Sequence, residues 1–375
     1  VNPCLVISVN TTWNLANFRV ELIRALLADG WRVVCLAPSD RHAERVRALG
    51  CELIHLPMDN AGTHPVRDTA LLLRYWWHLR ALRPAAYLGF TVKPNVYGSL
   101  AAHALGIPVL NNIAGLGTAF VRGGWLLRVV RLLYRLALGR SRTVFFQNAD
   151  DRALFLQQGL VSEAQTQLLP GSGVDLLHFA PRPRQRKPGQ ALVFLLVARL
   201  LWDKGIGEFV EALRLLRESG RPFEARLLGF LDARNPTAIA AETVWGWQDE
   251  GLLTYCGETD DVRNALAEAD VVVLPSYREG TPRSLLEAAA MGKPLITTDT
   301  PGCREVVARG ENGYLVPPRS AHALAEAMQR MIGLPEAARL AMGTASRQLV
   351  ERHFDERIVI QRYRAVLAAF FTAEK

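Results

Sequence analysis

The sequence points to an α/β protein built from two Rossmann-like domains of similar size. Short apolar runs alternate with longer amphipathic runs along the chain. This is the rhythm of parallel strands joined by helical crossovers. The rhythm pauses once, between residues 170 and 190, and then restarts. A length of 375 residues also exceeds the range over which one hydrophobic core keeps growing.

Taken in order, Leu5–Val9 is an apolar run of strand length. Asn17–Ala28 has helical periodicity, with Gly30 just past its end to stop the helix. Arg32–Ala37 reads as a strand, Ala43–Leu49 as a helix and Glu52–Leu56 as a third strand. Strands at Ala86–Phe90, Val109–Asn112 and Thr143–Gln147 follow, separated by helices. Pro170-Gly-Ser-Gly-Val-Asp175 and the Arg-, Lys- and Pro-rich stretch Pro181–Gln190 read as turn and linker. Beyond them come strand Ala191–Ala198, helix Ile206–Leu216, and strands Glu224–Gly229 and Leu252–Cys256. Asp270–Pro275 is the most strand-like run of all, and Leu295–Thr298 follows after a helix. The expected domains are residues 1–175 and 176–353, with 354–375 as a last helix crossing back to the first domain. Ligands of open α/β sheets lie at the carboxyl ends of strands, so a site in the cleft between the domains is expected.

Composition narrows the class. Hydrophobic residues make up 50% and charged residues 21%, which excludes a disordered chain, a collagen-like fibre and a disulfide scaffold. No apolar run reaches the roughly 18 to 20 residues that cross a bilayer. Asn2, Pro3, Asn10 and Asn14 interrupt the first apolar stretch, which reads as a strand and not as a secretory signal. The five cysteines are odd in number and lack C-x-x-C spacing, which suits a reducing cytosol.

Charge is unevenly spread. Of the net +8, residues 1–175 carry +7 (18 basic, 11 acidic) and the rest +1 (26 basic, 25 acidic). Between Asp68 and Asp150 there are ten basic residues and no acidic one. The first half therefore faces something negative.

Two clusters carry chemistry. In the segment from Asp270 to Val307, a strand ends at Pro275, a short loop carries Glu279 and Gly280, and Pro282 suits the first turn of a helix holding Glu287. Glutamates eight apart also occur at Glu44/Glu52, Glu242/Glu250 and Glu250/Glu258, but only Glu279/Glu287 spans a strand end and a helix start. Helix N-termini attract phosphate, and carboxylates beside them accept hydrogen bonds from sugar hydroxyls. In the second cluster, Arg199 and Lys204 follow a strand end, and Gly205 and Gly207 open the next helix. Two cations placed so suit a diphosphate; a surface ion pair of Lys204 with Asp203 or Glu208 is the alternative.

These residues resemble retaining glycosyltransferases of the GT-B fold, specifically glycosyltransferase family 4. Its E-x7-E element matches Glu279 to Glu287, and its Arg…Lys-Gly element matches Arg199, Lys204 and Gly205. The junction Gly171-Ser-Gly-Val-Asp-Leu-Leu-His-Phe179 and the turn Gly257-Glu-Thr-Asp-Asp-Val262 also resemble that family. Lys93-Pro-Asn-Val-Tyr-Gly98, Gly115-Leu-Gly117 and Pro275-Ser-Tyr-Arg-Glu-Gly-Thr-Pro-Arg-Ser284 resemble the bacterial subgroup that extends saccharides on undecaprenyl diphosphate. The resemblance implies two Rossmann-like domains facing each other across a cleft. It implies that Arg199 and Lys204 neutralise the donor diphosphate, that Glu287 binds the ribose and that Glu279 binds the donor sugar. Gly280, Thr281, Arg283 and Ser284 would meet the sugar and phosphates, with Gly229 and Glu258 also on the donor side. Transfer would retain anomeric configuration without an enzyme nucleophile. No D-x-D occurs, which fits a metal-independent site with no cofactor beyond a UDP-sugar substrate.

The sequence departs from the family in the first domain. Many members have a His in the loop matching Asn111-Asn-Ile-Ala-Gly115, where this chain has none; His103 on the helix Val96–Leu105 is read as helix-packed or surface. The Gly-rich loop of many members is replaced by Asn10-Thr-Thr-Trp-Asn-Leu-Ala-Asn-Phe-Arg19. Asn14, Asn17, Arg19 and Lys93 are the acceptor-side candidates, with Asn17 equally readable as a helix cap.

Residues 120–138 form an Arg-rich amphipathic helix candidate with Arg128, Arg131 and Arg135 on one face and Trp125 among the apolar residues. Leu71–Arg80 is a second. Each alone suits a core-packed helix with a charged outer face. With the acid-free span they suit an anionic membrane surface, whereas nucleic acid, the rival partner, has no binding motif here. The expected protein is cytoplasmic and peripheral on the inner face of the membrane, with no obligate protein partner. It moves a hexose or N-acetylhexosamine from a UDP-sugar to a polyprenyl-diphosphate-linked saccharide. A free sugar or sugar phosphate is the alternative acceptor, and a catalytically silent nucleotide-sugar-binding protein the rival class.

Overall fold

The computed structural model describes residues 2–59, 64–115, 125–182, 189–231 and 235–372. It divides into two compact units, Val1–Ser172 with Arg357–Lys375, and Gly173–Glu356. The division lies a few residues from 175 and 353 because Val174 pairs with Asp355 inside the second unit.

The first unit holds seven parallel strands: β1 (Cys4–Ser8), β2 (Arg32–Ala37), β3 (Glu52–His55), β4 (Ala86–Phe90), β5 (Val109–Ile113), β6 (Thr143–Phe146) and β7 (Thr166–Leu168). Their order is β3-β2-β1-β4-β5-β6-β7, so the winding reverses between β1 and β4. The helices are α1 (Thr12–Phe18), α2 (Val20–Ala28), α3 (Ala43–Arg47), α4 (Pro65–Leu82), α5 (Ser99–Ala104), α6 (Trp125–Leu138) and α7 (Ala149–Gln157). The apolar strands β1, β4, β5 and β6 are buried along their whole length, as a parallel sheet covered on both faces requires.

The second unit repeats the plan with β8 (Leu192–Val197), β9 (Phe223–Leu228), β10 (Thr254–Tyr255), β11 (Val271–Leu274), β12 (Leu295–Thr298) and β13 (Gly313–Val316), all parallel. Their order is β10-β9-β8-β11-β12-β13, reversing between β8 and β11. Its helices are α8 (Ile206–Glu218), α9 (Ala241–Asp249), α10 (Arg263–Glu268), α11 (Arg283–Ala290), α12 (Ala321–Gly333) and α13 (Glu336–His353).

The last helix, α14 (Glu356–Thr372), packs on the first sheet. Tyr363 is fully buried, with its ring 4.8 Å from Phe145 and 6.2 Å from Phe90. Asn112 Nδ2 donates to its hydroxyl at 2.6 Å. Asn112 belongs to a buried amide network. Asn95 Nδ2 donates to the Asn112 carbonyl, Asn111 Nδ2 to Asn95 Oδ1 and Ser99 Oγ, and Ser141 Oγ to Asn111 Oδ1. Two adjacent asparagines inside a central strand are tolerated because each finds partners.

Several local expectations are corrected. Asn17–Ala28 is not one helix: Thr11 caps α1, and the chain breaks at Arg19 (φ −129°, ψ 5°) before α2. Asn17 is therefore not a cap; its Nδ2 donates to the Trp13 carbonyl one turn back. The helix Val96–Leu105 begins with a π-helical turn, Pro94–Gly98, where Tyr87 fills the space beside Gly98 and its hydroxyl donates to the Pro94 carbonyl. Asn111–Ile113 lies in β5 and not in a loop. Leu252–Cys256 contributes only Thr254–Tyr255 to the sheet. Residues 116–124 and 183–188, which include Gly117, Phe120 and most of the expected linker, lie outside the described residues.

Candidate functional site

The reversal between β8 and β11 explains why two clusters 75 residues apart in sequence meet. Adjacent strands connected in opposite directions leave a crevice at their carboxyl ends. The loop after β8 carries Arg199 and Lys204, and the loop after β11 carries Glu279. Lys204 Nζ bonds Glu279 Oε1, and both side chains are largely buried, 17% and 15% exposed. Of the two alternative partners of Lys204, Glu208 is engaged elsewhere: it accepts from the Tyr277 hydroxyl at 2.6 Å. Arg199 is exposed.

Glycines let these loops approach. A side chain on Gly205 (φ +70°) would strike the Pro275 carbonyl oxygen at 2.0 Å, and one on Gly302 (φ +84°) the Gly280 carbonyl oxygen at 2.4 Å. The Tyr277 amide donates to the Asp203 carbonyl at 3.0 Å, and the Glu279 amide to the Pro301 carbonyl at 3.1 Å. Thr298 Oγ1 and Thr300 Oγ1 both donate to the Ser276 carbonyl. Beneath the loop, burial pushes the Cys303 thiol up to about 11, with the nearby Glu279 carboxylate adding to the effect.

Pro282 sits one position earlier than expected, at the cap of α11, and Arg283 is the first helical residue. The helix has no side-chain cap; the amides of Leu285 and Leu286 both donate to the Pro282 carbonyl. One turn in, Arg283 Nε donates to Glu287 Oε1 at 2.9 Å. Burial raises the Glu287 pKa above the usual carboxylate value, and Arg283 opposes that shift. Two cation–carboxylate pairs thus stand at one sheet end, Lys204–Glu279 and Arg283–Glu287. Gly280 is buried beside them, and Thr281 and Ser284 are half-buried.

Gly229 follows β9 and approaches the end of β8 so closely that a side chain would meet the Ala198 carbonyl oxygen at 1.7 Å. Its amide donates to the Gly257 carbonyl, next to the exposed Glu258. A cavity of about 360 Å³ opens at the other end of this sheet, beside Asp270 and Pro294. It contains none of the expected site residues. Cations there serve backbone carbonyls at helix ends: Lys293 those of Ala267 and Ala269, Arg347 that of Ala290.

The remaining expected residues belong to the first unit, around the ends of β1 and β4. Asn14 Oδ1 is buried without a hydrogen-bond partner among the described residues. Arg19 is 3% exposed, with its guanidinium 4.1 Å from the Phe90 ring centroid. Lys93 Nζ donates to Asp68 Oδ1 at 2.7 Å in a largely buried pair. His103 bonds the Ala137 carbonyl, and burial lowers its pKa. Among the described residues, no three of His, Cys, Asp and Glu are placed to hold a metal ion, and no helix is long and apolar enough to cross a membrane.

Residues 16–172 match the family described as "Glycosyl transferase 4-like domain", and residues 191–333 that described as "Glycosyl transferases group 1". The N,N'-diacetylbacillosaminyl-diphospho-undecaprenol alpha-1,3-N-acetylgalactosaminyltransferase of Campylobacter jejuni is 27% identical over 93% of this chain and 94% of its own length. The amylovoran biosynthesis glycosyltransferase AmsK of Erwinia amylovora is 33% identical over 48% of this chain and 45% of its own. Among solved structures, the sucrose-phosphate synthase of Thermosynechococcus elongatus superposes with a TM-score of 0.80 at 20% identity, covering 99% of this chain and 100% of that one. HepE of Anabaena in complex with UDP-glucose gives 0.79 at 16% identity, covering 98% and 100%. These last two likenesses speak for the fold.

Proposed function

Because the chain belongs to the glycosyltransferases built from a 4-like and a group 1 domain, we propose that it moves a hexose or N-acetylhexosamine from a UDP-sugar to a polyprenyl-diphosphate-linked saccharide, with retention. The observation that carries the donor half of this reading is the Lys204–Glu279 pair at the crevice of the second sheet. A nucleoside diphosphate entering there draws Lys204 to its phosphates and frees Glu279 to accept hydrogen bonds from sugar hydroxyls. Arg199 adds a second cation, Glu287 holds the ribose, and the uncapped start of α11 faces the anion. The acceptor oxygen bonds the anomeric carbon on the face the leaving group departs from. The bond to the β-phosphate oxygen breaks, and that phosphate takes the acceptor proton. The enzyme's contribution is orientation and stabilisation of leaving-group charge. The near full-length likeness to an enzyme acting on a diphospho-undecaprenol supports the lipid-linked acceptor.

Release of UDP from UDP-sugars, assayed with and without a polyprenyl-diphosphate-linked acceptor, tests the whole reading. Release stimulated only by free sugars or sugar phosphates would replace the lipid-linked acceptor with a soluble one. The two glutamates are also expected to separate. Glu287→Ala weakens UDP binding by calorimetry, whereas Glu279→Ala lowers turnover and leaves UDP affinity nearly unchanged. Equal loss of UDP affinity in both variants would reverse or merge the roles.

The membrane part of the reading rests on two helices that pack in one layer with α5. On α4, Leu71, Tyr75 and Leu79 face the core, while Leu73, Trp76 and Trp77 are exposed beside Arg74, Arg80 and Arg83. On α6, Val130 and Tyr134 are buried, while Leu132 and Leu136 are exposed beside Arg128 and Arg135. Arg131, expected on the same outer face, is only half-exposed, with Nε buried. Aromatic, aliphatic and basic groups together suit an anionic bilayer surface, where each Arg contributes about 1 kcal/mol. Arg128→Glu with Arg135→Glu is expected to abolish sedimentation with anionic vesicles at low salt and to spare activity on a short water-soluble acceptor. Wild-type protein that ignores such vesicles ends the membrane reading.

A further inference from the structure

We propose that Tyr277 is a positioning residue for the Lys204–Glu279 pair, held in register by Glu208 and Arg319. The inference rests on the donor reading above for its catalytic meaning and on geometry for its existence. Tyr277 lies two residues before Glu279, in the loop after β11. Its amide donates to the carbonyl of Asp203, the neighbour of Lys204. Its hydroxyl donates to Glu208 Oε1 at 2.6 Å, in the first turn of α8. The Arg319 guanidinium, from the loop after β13, covers the ring at 4.2 Å from the centroid. One residue therefore ties the loop that follows β11 to the loop after β8 through its amide, and to the start of α8 and the loop after β13 through its side chain.

Two features argue that this clasp is more than filling. Arg319 is held at φ +60°, a left-handed conformation uncommon for a side-chain-bearing residue. The interaction the structure gives its exposed side chain is with the Tyr277 ring face. The loops also lack slack, since Gly205 abuts Pro275 and Gly302 abuts Glu279 and Gly280. A displacement of the Tyr277 backbone is passed along the loop to Glu279, two residues on, and through its bond to the Asp203 carbonyl to the neighbour of Lys204. Misplacement of charged groups by about 1 Å is enough to slow a reaction that depends on orientation.

Tyr277→Phe keeps the ring and its cation contact but loses the bond to Glu208. Arg319→Gly removes the guanidinium and relieves the backbone. Hydrogen exchange on the full-length, ligand-free protein reads the clasp directly. Both variants are expected to exchange the Tyr277 and Glu279 amides about tenfold faster, with β8 and β11 amides unchanged. Unchanged exchange at these two amides in both variants overturns the proposal.

Activity reads its purpose, with UDP-N-acetylgalactosamine and a synthetic polyprenyl-diphosphate-linked N-acetylhexosamine as probes. The expected result is kcat about tenfold lower, donor KM and UDP affinity within about twofold of wild type, and a melting temperature no lower for Arg319→Gly. Arg319→Lys, which keeps a cation over the ring, recovers most of kcat. Wild-type kcat in both variants, or a kcat loss that only tracks a falling melting temperature, overturns the positioning role. Absence of UDP binding and transfer in the wild type overturns the donor reading instead, and the exchange result still decides the clasp.

Discussion

Lys204→Ala is expected to lower turnover by about 100- to 1,000-fold in a protein that remains folded. The side chain comes from the loop after β8, is 17% exposed and pairs with Glu279 across the crevice. In the reaction proposed above, negative charge grows on the departing diphosphate as its bond to the anomeric carbon breaks. A cation fixed in a mostly dry site stabilises that charge far more than water does, because the protein does not reorganise to meet it. An effect of roughly 2.7 to 4 kcal/mol on the barrier follows from comparable oxyanion donors. The fold is spared because the loop keeps its backbone ties: Gly205 packs on the end of β11 and the Tyr277 amide bonds the Asp203 carbonyl. Lys204→Arg restores the charge but not the compact ammonium, so it recovers turnover only in part. Arg199→Ala costs less, since Arg199 is exposed and its field is screened. Single-turnover rates with circular dichroism as the control for folding check this. Near-normal turnover in a folded Lys204→Ala protein would remove Lys204 from the mechanism.

The Lys204–Glu279 meeting was legible in part. Strand ends are read from apolar runs, and loops after strands from Gly and Pro, so each residue's place at the carboxyl end of a strand follows from local pattern alone. That β8 and β11 are neighbours does not, because strand order is a property of the whole sheet. For the same reason the contacts of Tyr277 left no signal: its partners Glu208 and Arg319 lie 69 residues before it and 42 after it. The break at Arg19 also escaped the sequence pattern. No Gly or Pro marks it; the chain turns there while the guanidinium is buried against Phe90, a tertiary contact that overrides helical periodicity. Lys93 is instructive in the opposite sense. The acid-free run from residue 69 to 149 makes it look like an uncompensated cation, yet Asp68, just outside the run, lies within 2.7 Å.

Tyr363→Ala is expected to destabilise the first unit by about 3 to 5 kcal/mol through the cavity it leaves. The Asn112 amide it orphans adds about 1 to 3 kcal/mol. The residue lies at the far end of the chain, yet its ring is buried against Phe145 and Phe90, and its hydroxyl takes the amide hydrogen of Asn112. Burial also pushes its hydroxyl pKa up to about 12, so the group stays neutral and the bond persists across the working pH range. With a typical unit stable by only about 5 to 15 kcal/mol, such a loss consumes much of the total. Tyr363→Phe isolates the polar part: the ring still fills its site, and only the bond to Asn112 is lost, about 1 to 3 kcal/mol. Hydrogen exchange locates the damage. Amides of β4, β5 and β6 are expected to lose protection in Tyr363→Ala, while those of β8, β11 and β12 keep theirs. Arg364, whose Nε and Nη2 hold Asp29 at 2.6 and 2.7 Å, is 42% exposed. Its removal is expected to cost under about 1 kcal/mol, so the aromatic contact and not the surface ion pair ties α14 to the first sheet. Unaltered protection of β4 to β6 in Tyr363→Ala would mean that the first sheet is stable without this helix.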